Sequence, residues 1–233
     1  EFEESWTEDY VRGGGDVKFH LGYSSDLMTD QGKPVHVTLS ANPSHLEYGH
    51  SVVLGKTRAR QRIQHDENRS LCIPLIMHGD ASFPGQGIVA EMFNMAHLDG
   101  YTVGGAVHIV VNNQIGFTTN PHDSYSGRYC TDIAKMAGAP IIHVNGNDPE
   151  ACVHAIQLGV RYRQKFHNDV VIDVWTYRKH GHNESDEPTY TQPKMYRAIS
   201  KMQPISDQYA EKLIKCGVLT KDIHEQMTED VRS

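Results

Sequence analysis

Hydrophobic and polar residues alternate in blocks along the middle of the chain, and the length and spacing of each block separate strands from helices. Short blocks rich in Val and Ile predict strands at about 35–40, 71–77, 106–111, 140–144 and 170–176. Longer blocks with helical spacing predict helices at about 47–63, 86–98, 149–166 and 192–203. Most strand blocks are apolar nearly throughout, which is typical of parallel strands covered on both faces. The pattern predicts an α/β fold, with a mostly parallel, doubly wound sheet and helices on both faces.

The two ends of the chain differ from this middle part. The run Gly13-Gly14-Gly15 indicates a flexible joint, and the chain begins with Glu rather than Met. We therefore expect residues 1–15 to be a flexible segment of a longer parent chain. Residues 16–203 are expected to form the α/β domain, and the charged, helix-forming residues 204–233 predict a helical extension.

Composition limits the classes of partner. A chain of 233 residues with 38% hydrophobic content can bury one substantial core. A net charge of −7 without a basic stripe argues against a nucleic-acid surface. No apolar run approaches the roughly 20 residues of a membrane helix, and the first residues of this sequence lack the basic and apolar regions of a signal peptide. The cysteines are too scattered to predict disulfides, so we expect free thiols: Cys72, Cys130, Cys152 and Cys216.

Polar loops follow all five predicted strands. In open α/β sheets, ligands bind beyond the carboxyl ends of the strands. A single polar loop after a strand is common, whereas five such loops at one rim predict a binding site. The loops are 42–45, 78–80, 112–114, 145–148 and 178–184.

Two of these loops carry oxygen ligands suited to a hard divalent cation. Asp80 supplies a carboxylate, Asn113 supplies an amide oxygen, and Ile115 can turn its backbone carbonyl inward. The glycine-rich turn 85–87 opens a predicted helix whose N-terminus suits an anion such as a diphosphate. The alternative is that Asp80 only caps this helix. A second predicted strand, at 106–111, is followed by Asn112-Asn113. Polar oxygen ligands after both strands favour a ligand site over a helix cap.

Several longer segments then resemble a known family over essentially the whole chain. The Gly-Asp and Asn-Asn arrangement is similar to the thiamin-diphosphate motif of the transketolase and 2-oxo-acid dehydrogenase group. The surrounding segments resemble the decarboxylating first component of the 2-oxoglutarate dehydrogenase complex. These segments are Gly15–Gly22, Ala41–Glu47, Val111–Thr119, Tyr129–Asp132, His143–Asn145, Asn147–Ala151, His180–Glu184 and Thr191–Pro193.

The resemblance implies roles for individual residues around a cofactor and a metal ion. It implies that Mg²⁺ is bound by Asp80, Asn113 and the carbonyl of Ile115. The residues that it places at thiamin diphosphate are Ser44, Leu46, Asp80, Ala81, Ser82 and Asn113.

Two histidines match active-site positions of the family. His20 matches a catalytic histidine that meets the 2-oxo acid, with Ser44 close to the same substrate, and His182 matches a catalytic histidine at the cofactor end of the cleft. A lone histidine near a strand end is more often an ordinary solvated or hydrogen-bonded residue, and that alternative stays open for both. A histidine suits the role because its ordinary pKa lies near neutrality.

The resemblance also implies an activity and partners for the parent protein. The expected reaction is oxidative decarboxylation of 2-oxoglutarate, with transfer of the succinyl group to the lipoyl domain of the dihydrolipoyl succinyltransferase component, in the tricarboxylic acid cycle. A homodimer is expected, in the cytoplasm of a bacterium or the mitochondrial matrix of a eukaryote. Neither nucleic acid nor a membrane is an expected partner.

Some positions depart from the family pattern. Ser82 and Pro84 replace other small residues, Phe19 replaces a tyrosine, and the segment 48–52 lacks a common proline. The family's activating glutamate is expected in a C-terminal domain beyond residue 233, and another histidine segment is expected before residue 1. The chain should therefore supply the diphosphate and metal half of the site and be catalytically incomplete alone.

Three alternatives remain open at this point. A sibling enzyme acting on 2-oxoadipate would differ by one methylene in its substrate. A zinc enzyme is suggested by 15 histidines, including His45, His50, His180 and His182, although they lack a matched carboxylate or cysteine set. A non-catalytic assembly module is the third.

Overall fold

The computed structural model describes residues 20–232. The strands are β1 Tyr23–Met28, β2 Pro34–Leu39, β3 Leu75–Gly79, β4 Val107–Asn112, β5 Ile141–Asn145 and β6 Val170–Trp175. The helices are α1 Tyr48–Ile63, α2 Ile88–Met95, α3 Pro121–Ser124, α4 Pro149–Phe166, α5 Pro193–Ile199, α6 Ile205–Lys215 and α7 Lys221–Arg232, with a 3-10 helix at Cys130–Ala137.

Four of the strands form one sheet in the order β3-β4-β6-β5, and every neighbouring pair is parallel. The chain crosses from one strand to the next through helices, as parallel pairing requires. All four carboxyl ends therefore lie along one edge, which confirms that the loops after these strands share a rim.

Helices cover the sheet on both faces, as predicted. On one face, α4 packs against β5 and β6 over a cluster of Val107, Val144, Ala155, Val170 and Ile172. On the other face, α2 and the 3-10 helix bury a second apolar cluster, which includes Phe83, Phe93, Val110, Cys130 and Val171.

The predicted strand at 35–40 does not join the parallel sheet, and this part of the prediction was wrong. β2 pairs with β1 in a separate two-stranded antiparallel sheet, with Tyr23 opposite Leu39. Gly32 adopts a positive φ of 71° in the turn between them. The polar run Ser24-Ser25-Asp26 hid β1 from the hydrophobic pattern. The loop 42–45 therefore follows a hairpin rather than a strand of the main sheet.

The predicted strand at 71–77 begins later, at Leu75. The Asp66 carboxylate accepts hydrogen bonds from the backbone of Ser70 at 3.0 Å and of Leu71 at 2.8 Å, so this segment forms a capped turn. Pro74 follows, and it has no backbone N–H to donate to a neighbouring strand. The first part of the apolar run therefore lies in a turn, and only its second part, from Leu75, forms the strand.

The predicted helix 149–166 matches α4 at both ends. Asp148 accepts a hydrogen bond from the backbone of Ala151 at 3.1 Å, and Pro149 occupies the first turn, as expected of a helix N-terminus. His167 closes the helix in the left-handed region, with φ of 51°. Local signals therefore set both boundaries.

The remaining predictions concern the ends of the chain and the thiols. The residues after 203 contain α6 and α7, but the domain boundaries at 15 and 203 stay predictions, and residues 1–19 lie outside the described part. All four cysteines are free. None of the helices between residues 20 and 232 combines the length and apolar character needed to cross a bilayer.

Candidate functional site

The site is built where β3 and β4 end. Asp80 follows β3 directly, and Asn113 follows β4. Asp80 is only 2% exposed, so its carboxylate is held away from bulk water. Because β3 and β4 are neighbours in the sheet, their loops meet at the same point of the rim.

Close backbone contact holds the two loops together. A Cβ atom at Gly116 would lie 2.4 Å from the Cβ of Ala81, so only glycine lets the loop after β4 lie against Ala81. Gln114 adopts a positive φ of 62°, and its backbone N–H donates to Asn112 Oδ1 at 3.2 Å. This turn directs Asn113 and Ile115 toward Asp80.

Three oxygens converge as a result. The side-chain oxygen of Asn113 lies 3.3 Å from Asp80 Oδ1 and 2.9 Å from the main-chain oxygen of Ile115. Oxygens that face one another repel unless a proton or a cation lies between them. Turning the Asn113 amide by 180° places its NH₂ group at the same point, where it donates to both oxygens. With its amide oxygen turned inward, Asn113 can bind a cation together with Asp80 and Ile115. With its NH₂ group turned inward, the same three groups form a closed hydrogen-bonded set.

Burial, and to a smaller extent the nearby Asp173, raise the pKa of Asp80 to about 6, with part of the rise offset by backbone N–H groups of Asp80, Asn113 and Gln114. A buried carboxylate without a cation is costly because its charge loses hydration. A divalent cation at this point would remove that cost. The electrostatics of Asp80 therefore favour a metal ligand over a simple structural residue.

Below these loops lies a buried polar network centred on Asp173, which is fully buried. Asp173 accepts hydrogen bonds from Asn112 Nδ2 at 3.0 Å, His143 Nδ1 at 2.8 Å and Trp175 Nε1 at 2.8 Å. Asn112 in turn holds the loop that carries Asn113, as described above. The network therefore positions the candidate ligands. From the sequence we assigned no role to Asn112, which begins the predicted loop 112–114, or to Asp173, which lies inside an otherwise apolar strand block.

The N-terminus of α2 is occupied by a side chain, contrary to the expected anion site. Glu47 Oε2 accepts a hydrogen bond from the backbone of Val89 at 3.0 Å, and burial raises the pKa of Glu47. A carboxylate at this position takes the N–H group that an anion would use. A diphosphate must therefore be held by other groups, and Asp80 does not cap this helix through any hydrogen bond seen in residues 20–232.

The predicted cofactor residues Ala81 and Ser82 follow Asp80 in the same loop. The Ser82 hydroxyl donates to the main-chain oxygen of Gly79 at 3.0 Å, which closes the turn after β3. Ala81 lies against Gly116, as noted above. Both residues are therefore beside the three oxygens.

His20 and Ser44 come together at a second location. His20 Nε2 and Ser44 Oγ are 3.3 Å apart, and the backbone N–H of Asn42 donates to the main-chain oxygen of His20 at 3.3 Å. Leu46 is 56% exposed. Glu47, the next residue, connects this loop to α2, so the predicted substrate and cofactor residues 44–46 lie on a segment anchored beside the loop 81–87.

His182 lies on the loop after β6. Its ring packs edge-on against Phe117, with 4.8 Å between ring centroids. Its backbone N–H donates to Asp186 Oδ2 at 2.8 Å. Because Phe117 follows the loop 113–116, His182 borders the same rim as Asn113, through a packing contact rather than a polar one.

A family model described as the dehydrogenase E1 component matches residues 10–233. The match covers nearly the whole chain. The chain belongs to the dehydrogenase E1 component family. Membership in this family agrees with the resemblance seen in the sequence segments.

Curated relatives of this E1 chain are longer proteins. The mitochondrial 2-oxoglutarate dehydrogenase of Dictyostelium discoideum is 52% identical over 213 residues, which are 91% of this chain and 21% of that protein. The 2-oxoglutarate dehydrogenase E1 component of Brucella ovis is 50% identical over 237 aligned residues, which cover 98% of this chain and 24% of that protein. The E1 chain described here thus spans between 21% and 24% of the length of these relatives.

Proposed function

We propose that this chain provides the diphosphate and Mg²⁺ half of a thiamin-diphosphate site in a 2-oxoglutarate dehydrogenase. The observation that carries the proposal is the convergence of the Asp80 carboxylate, the Asn113 side-chain amide and the Ile115 carbonyl at one point. Family membership supports the cofactor class, and the names of the relatives favour 2-oxoglutarate over 2-oxoadipate as the substrate.

The donor set fits Mg²⁺ by its chemistry. Magnesium prefers oxygen ligands and completes an octahedron with phosphate oxygens and water. The carboxylate of Asp80, the amide oxygen of Asn113 and the carbonyl of Ile115 would occupy part of the octahedron and leave positions for a diphosphate and a water. Nitrogen or sulfur ligands are absent from this set, so the site favours Mg²⁺ over zinc.

The residues near this metal position would hold the cofactor's diphosphate end. Ala81, Ser82 and Asn113 line the rim beside Asp80, and we place Ser44 and Leu46 along the cofactor from the neighbouring loop. Since Glu47 takes the N-terminus of α2, the metal ion supplies the main positive charge for the diphosphate. This dependence makes cofactor binding by this chain strictly Mg²⁺-dependent.

His20 and Ser44 form the polar pair that we assign to the substrate, with His182 at the cofactor end of the cleft. Bound thiamin diphosphate supplies the electron sink that makes loss of carbon dioxide from a 2-oxo acid possible. In that reaction His20 Nε2, held against Ser44 Oγ, would donate a proton or a hydrogen bond to an oxygen of the substrate. Ser44 orients the ring for this task.

The downstream steps belong to the parent protein. We propose that it passes the succinyl group to the lipoyl domain of the dihydrolipoyl succinyltransferase component and works as a homodimer in the tricarboxylic acid cycle. The compartment would be the cytoplasm in a bacterium or the mitochondrial matrix in a eukaryote.

Calorimetric titration of the full parent protein with thiamin diphosphate, with and without Mg²⁺, tests the proposal. The wild type should bind only with Mg²⁺, and Asp80→Ala should abolish that binding. Asp99→Ala, which removes an exposed carboxylate away from the rim, is the matched control and should bind as the wild type does. Mg²⁺-dependent binding that survives Asp80→Ala would contradict the proposal.

A second measurement tests the division of the site. The isolated 233-residue chain should not decarboxylate 2-oxoglutarate with cofactor and Mg²⁺, whereas the parent protein should. Substantial turnover by the chain alone would refute the claim that it holds only half of the active site.

A further inference from the structure

Three histidines meet in the interior, on the sheet face that is covered by α2. His50 comes from the first turn of α1, His78 from β3 and His108 from β4. One ring nitrogen of each lies within 4.8 Å of those of the other two. The three residues are only 3%, 8% and 0% exposed. Three imidazoles in one buried space require an explanation, because each ring brings polar atoms into a region that otherwise holds Phe83 and Phe93.

The pair in the sheet is already oriented for ligation. His78 Nε2 and His108 Nδ1 are 3.1 Å apart. The other nitrogen of His108, Nε2, lies 3.3 Å from Asp169 Oδ1, and that oxygen also accepts from the backbone of Ala106 at 2.9 Å. A proton on His108 Nε2 satisfies Asp169 and leaves Nδ1 with a lone pair, which accepts from His78 Nε2 and would be available to a metal ion in its place. A carboxylate behind a histidine is the usual outer partner of a metal ligand.

His50 supplies the independent observation. Its Nδ1 is buried and has no hydrogen-bond partner. Its ring lies edge-on to both of the others, with centroids 5.0 Å from His108 and 5.6 Å from His78. A buried nitrogen without a hydrogen-bond partner destabilises the fold, and a phenylalanine would fill the same space without that cost. A metal ion provides the missing partner.

Metal ions bind imidazole in its neutral form, and His50 is in that form at neutral pH. Burial, and to a smaller extent the neighbouring imidazoles of His108 and His78, lower the pKa of His50 to about 2. The ring therefore carries no competing proton charge at neutral pH. Metal binding at His50 requires no prior deprotonation of an imidazolium.

We propose that His50, His78 and His108 form a buried Zn²⁺ site, with Asp169 as the carboxylate that orients His108. Zinc takes three imidazole ligands readily, with Zn–N distances of about 2.0–2.1 Å. The separation of His78 Nε2 and His108 Nδ1 suits two such ligands, and a small rotation of His50 brings in the third. A water molecule completes the tetrahedron. The all-nitrogen set distinguishes this site from the oxygen site at Asp80.

Zinc at this position would connect three elements of the fold. It would tie α1 to β3 and β4, the strands that carry Asp80 and Asn113. α1 begins directly after Glu47, which holds α2, and after the loop of Ser44 and Leu46. The ion would therefore stabilise the placement of the residues assigned to substrate and cofactor without touching either.

Metal analysis of the purified full-length parent protein tests this proposal, with Mg²⁺ present in excess. One equivalent of Zn²⁺ per chain should remain after dialysis, and replacement by Co²⁺ should produce the visible absorption bands of a tetrahedral nitrogen site. His50→Phe should remove both signals, and Asp169→Asn should weaken Zn²⁺ affinity about 10-fold to 100-fold. His97→Ala, at an exposed histidine, is the matched control and should change neither.

Two further results decide the assignment. Asp80→Asn should abolish Mg²⁺-dependent cofactor binding and leave the Co²⁺ bands intact, which separates this proposal from the proposed function. Wild-type protein that retains no zinc and shows no Co²⁺ bands would overturn it, and so would bands that survive His50→Phe. Because the first of these measurements uses the wild type, a variant that fails to fold does not decide the outcome.

Discussion

Each face of the parallel sheet holds an apolar cluster, but β4 and β6 also bury polar side chains toward α2 and the 3-10 helix. Toward α4, β4 and β6 present Val107, Ile109, Val170 and Ile172, which pack as hydrocarbon. Toward α2 and the 3-10 helix, the alternate positions include His108, Asn112 and Asp173. Successive side chains of a strand point to opposite faces, so a single residue step separates the two environments.

This difference shows where the fold is stabilised and where it prepares a site. The strand side chains on the α4 face are apolar and need only shape and volume, although α4 itself buries Arg163, which donates to the main-chain oxygens of Gly105 and Val103. The other face is held by directional bonds, among them the three donors to Asp173 and the pair of His78 and His108. Its network extends through Asn112 to the loop that carries Asn113. The polar face therefore fixes the geometry of the rim, and changes there should affect both stability and cofactor binding.

Removing Asp173 should have the largest effect. Asp173→Ala leaves Asn112, His143 and Trp175 without their common acceptor, and each buried donor left unpaired costs about 1–3 kcal/mol. Chemical denaturation should show this loss in the free energy of unfolding, with weaker Mg²⁺-dependent cofactor binding. The neighbouring change on the apolar face, Ile172→Val, should cost only about 0.5–1.5 kcal/mol and leave cofactor binding unchanged. Equal effects of the two changes would remove the distinction between the faces.

The sequence predicted the apolar face better than the polar one. Apolar blocks predicted the four main-sheet strands to within a few residues, and the cap at Asp148 and Pro149 predicted the start of α4. The position of Asp80 directly after its strand made it the candidate metal ligand. All of these signals are local, so they can be recognised without knowing which elements pack together.

The parts that were missed depend on pairing across the fold. His50 is separated from His108 by more than fifty positions, and nothing near His50 indicates that its ring lies beside β4. The pairing of β1 with β2 depends on the hairpin turn, because β1 has a polar centre. Likewise, the glycine-rich start of α2 predicted an anion site. In the structure Glu47, the residue before α1, accepts a hydrogen bond from the backbone at the start of α2. Such contacts are set by tertiary packing, which composition and periodicity do not encode locally.

The second prediction concerns the cost of keeping Asp80 ionised. Its pKa in the folded protein is about 6, above the ordinary value of 3.8, so the folded state binds the proton more tightly than the unfolded state. Without metal, ionised Asp80 therefore destabilises the fold by about 3 kcal/mol above pH 6. Asp80→Asn should be more stable by about that amount at pH 7.5 in a chelator, while it loses Mg²⁺-dependent cofactor binding.

The pH dependence gives this prediction its control. The advantage of Asp80→Asn should shrink as the pH falls from about 6 toward 4, because wild-type Asp80 becomes protonated and its penalty disappears. Unfolding curves of both proteins across this range measure the change. An advantage that stays constant with pH would show that ionisation of Asp80 is not its source.

The smallest expected effect lies on the apolar face, where α4 approaches β6 through Gly159. A Cβ added there would lie 2.9 Å from Ile172 Cδ1, which is closer than packed carbons allow. Gly159→Ala gains helix propensity of about 1 kcal/mol but overpacks the core at a cost of about 1–3 kcal/mol, so we expect a net loss of about 1 kcal/mol. Ile172→Val removes the clashing methyl, and the double variant should be more stable than the sum of the single changes predicts, as a double-mutant cycle measures. Additive effects would mean that side-chain volume does not limit the packing of α4 against β6. A favourable coupling, without any change in cofactor binding, would confirm that this packing is governed by shape alone.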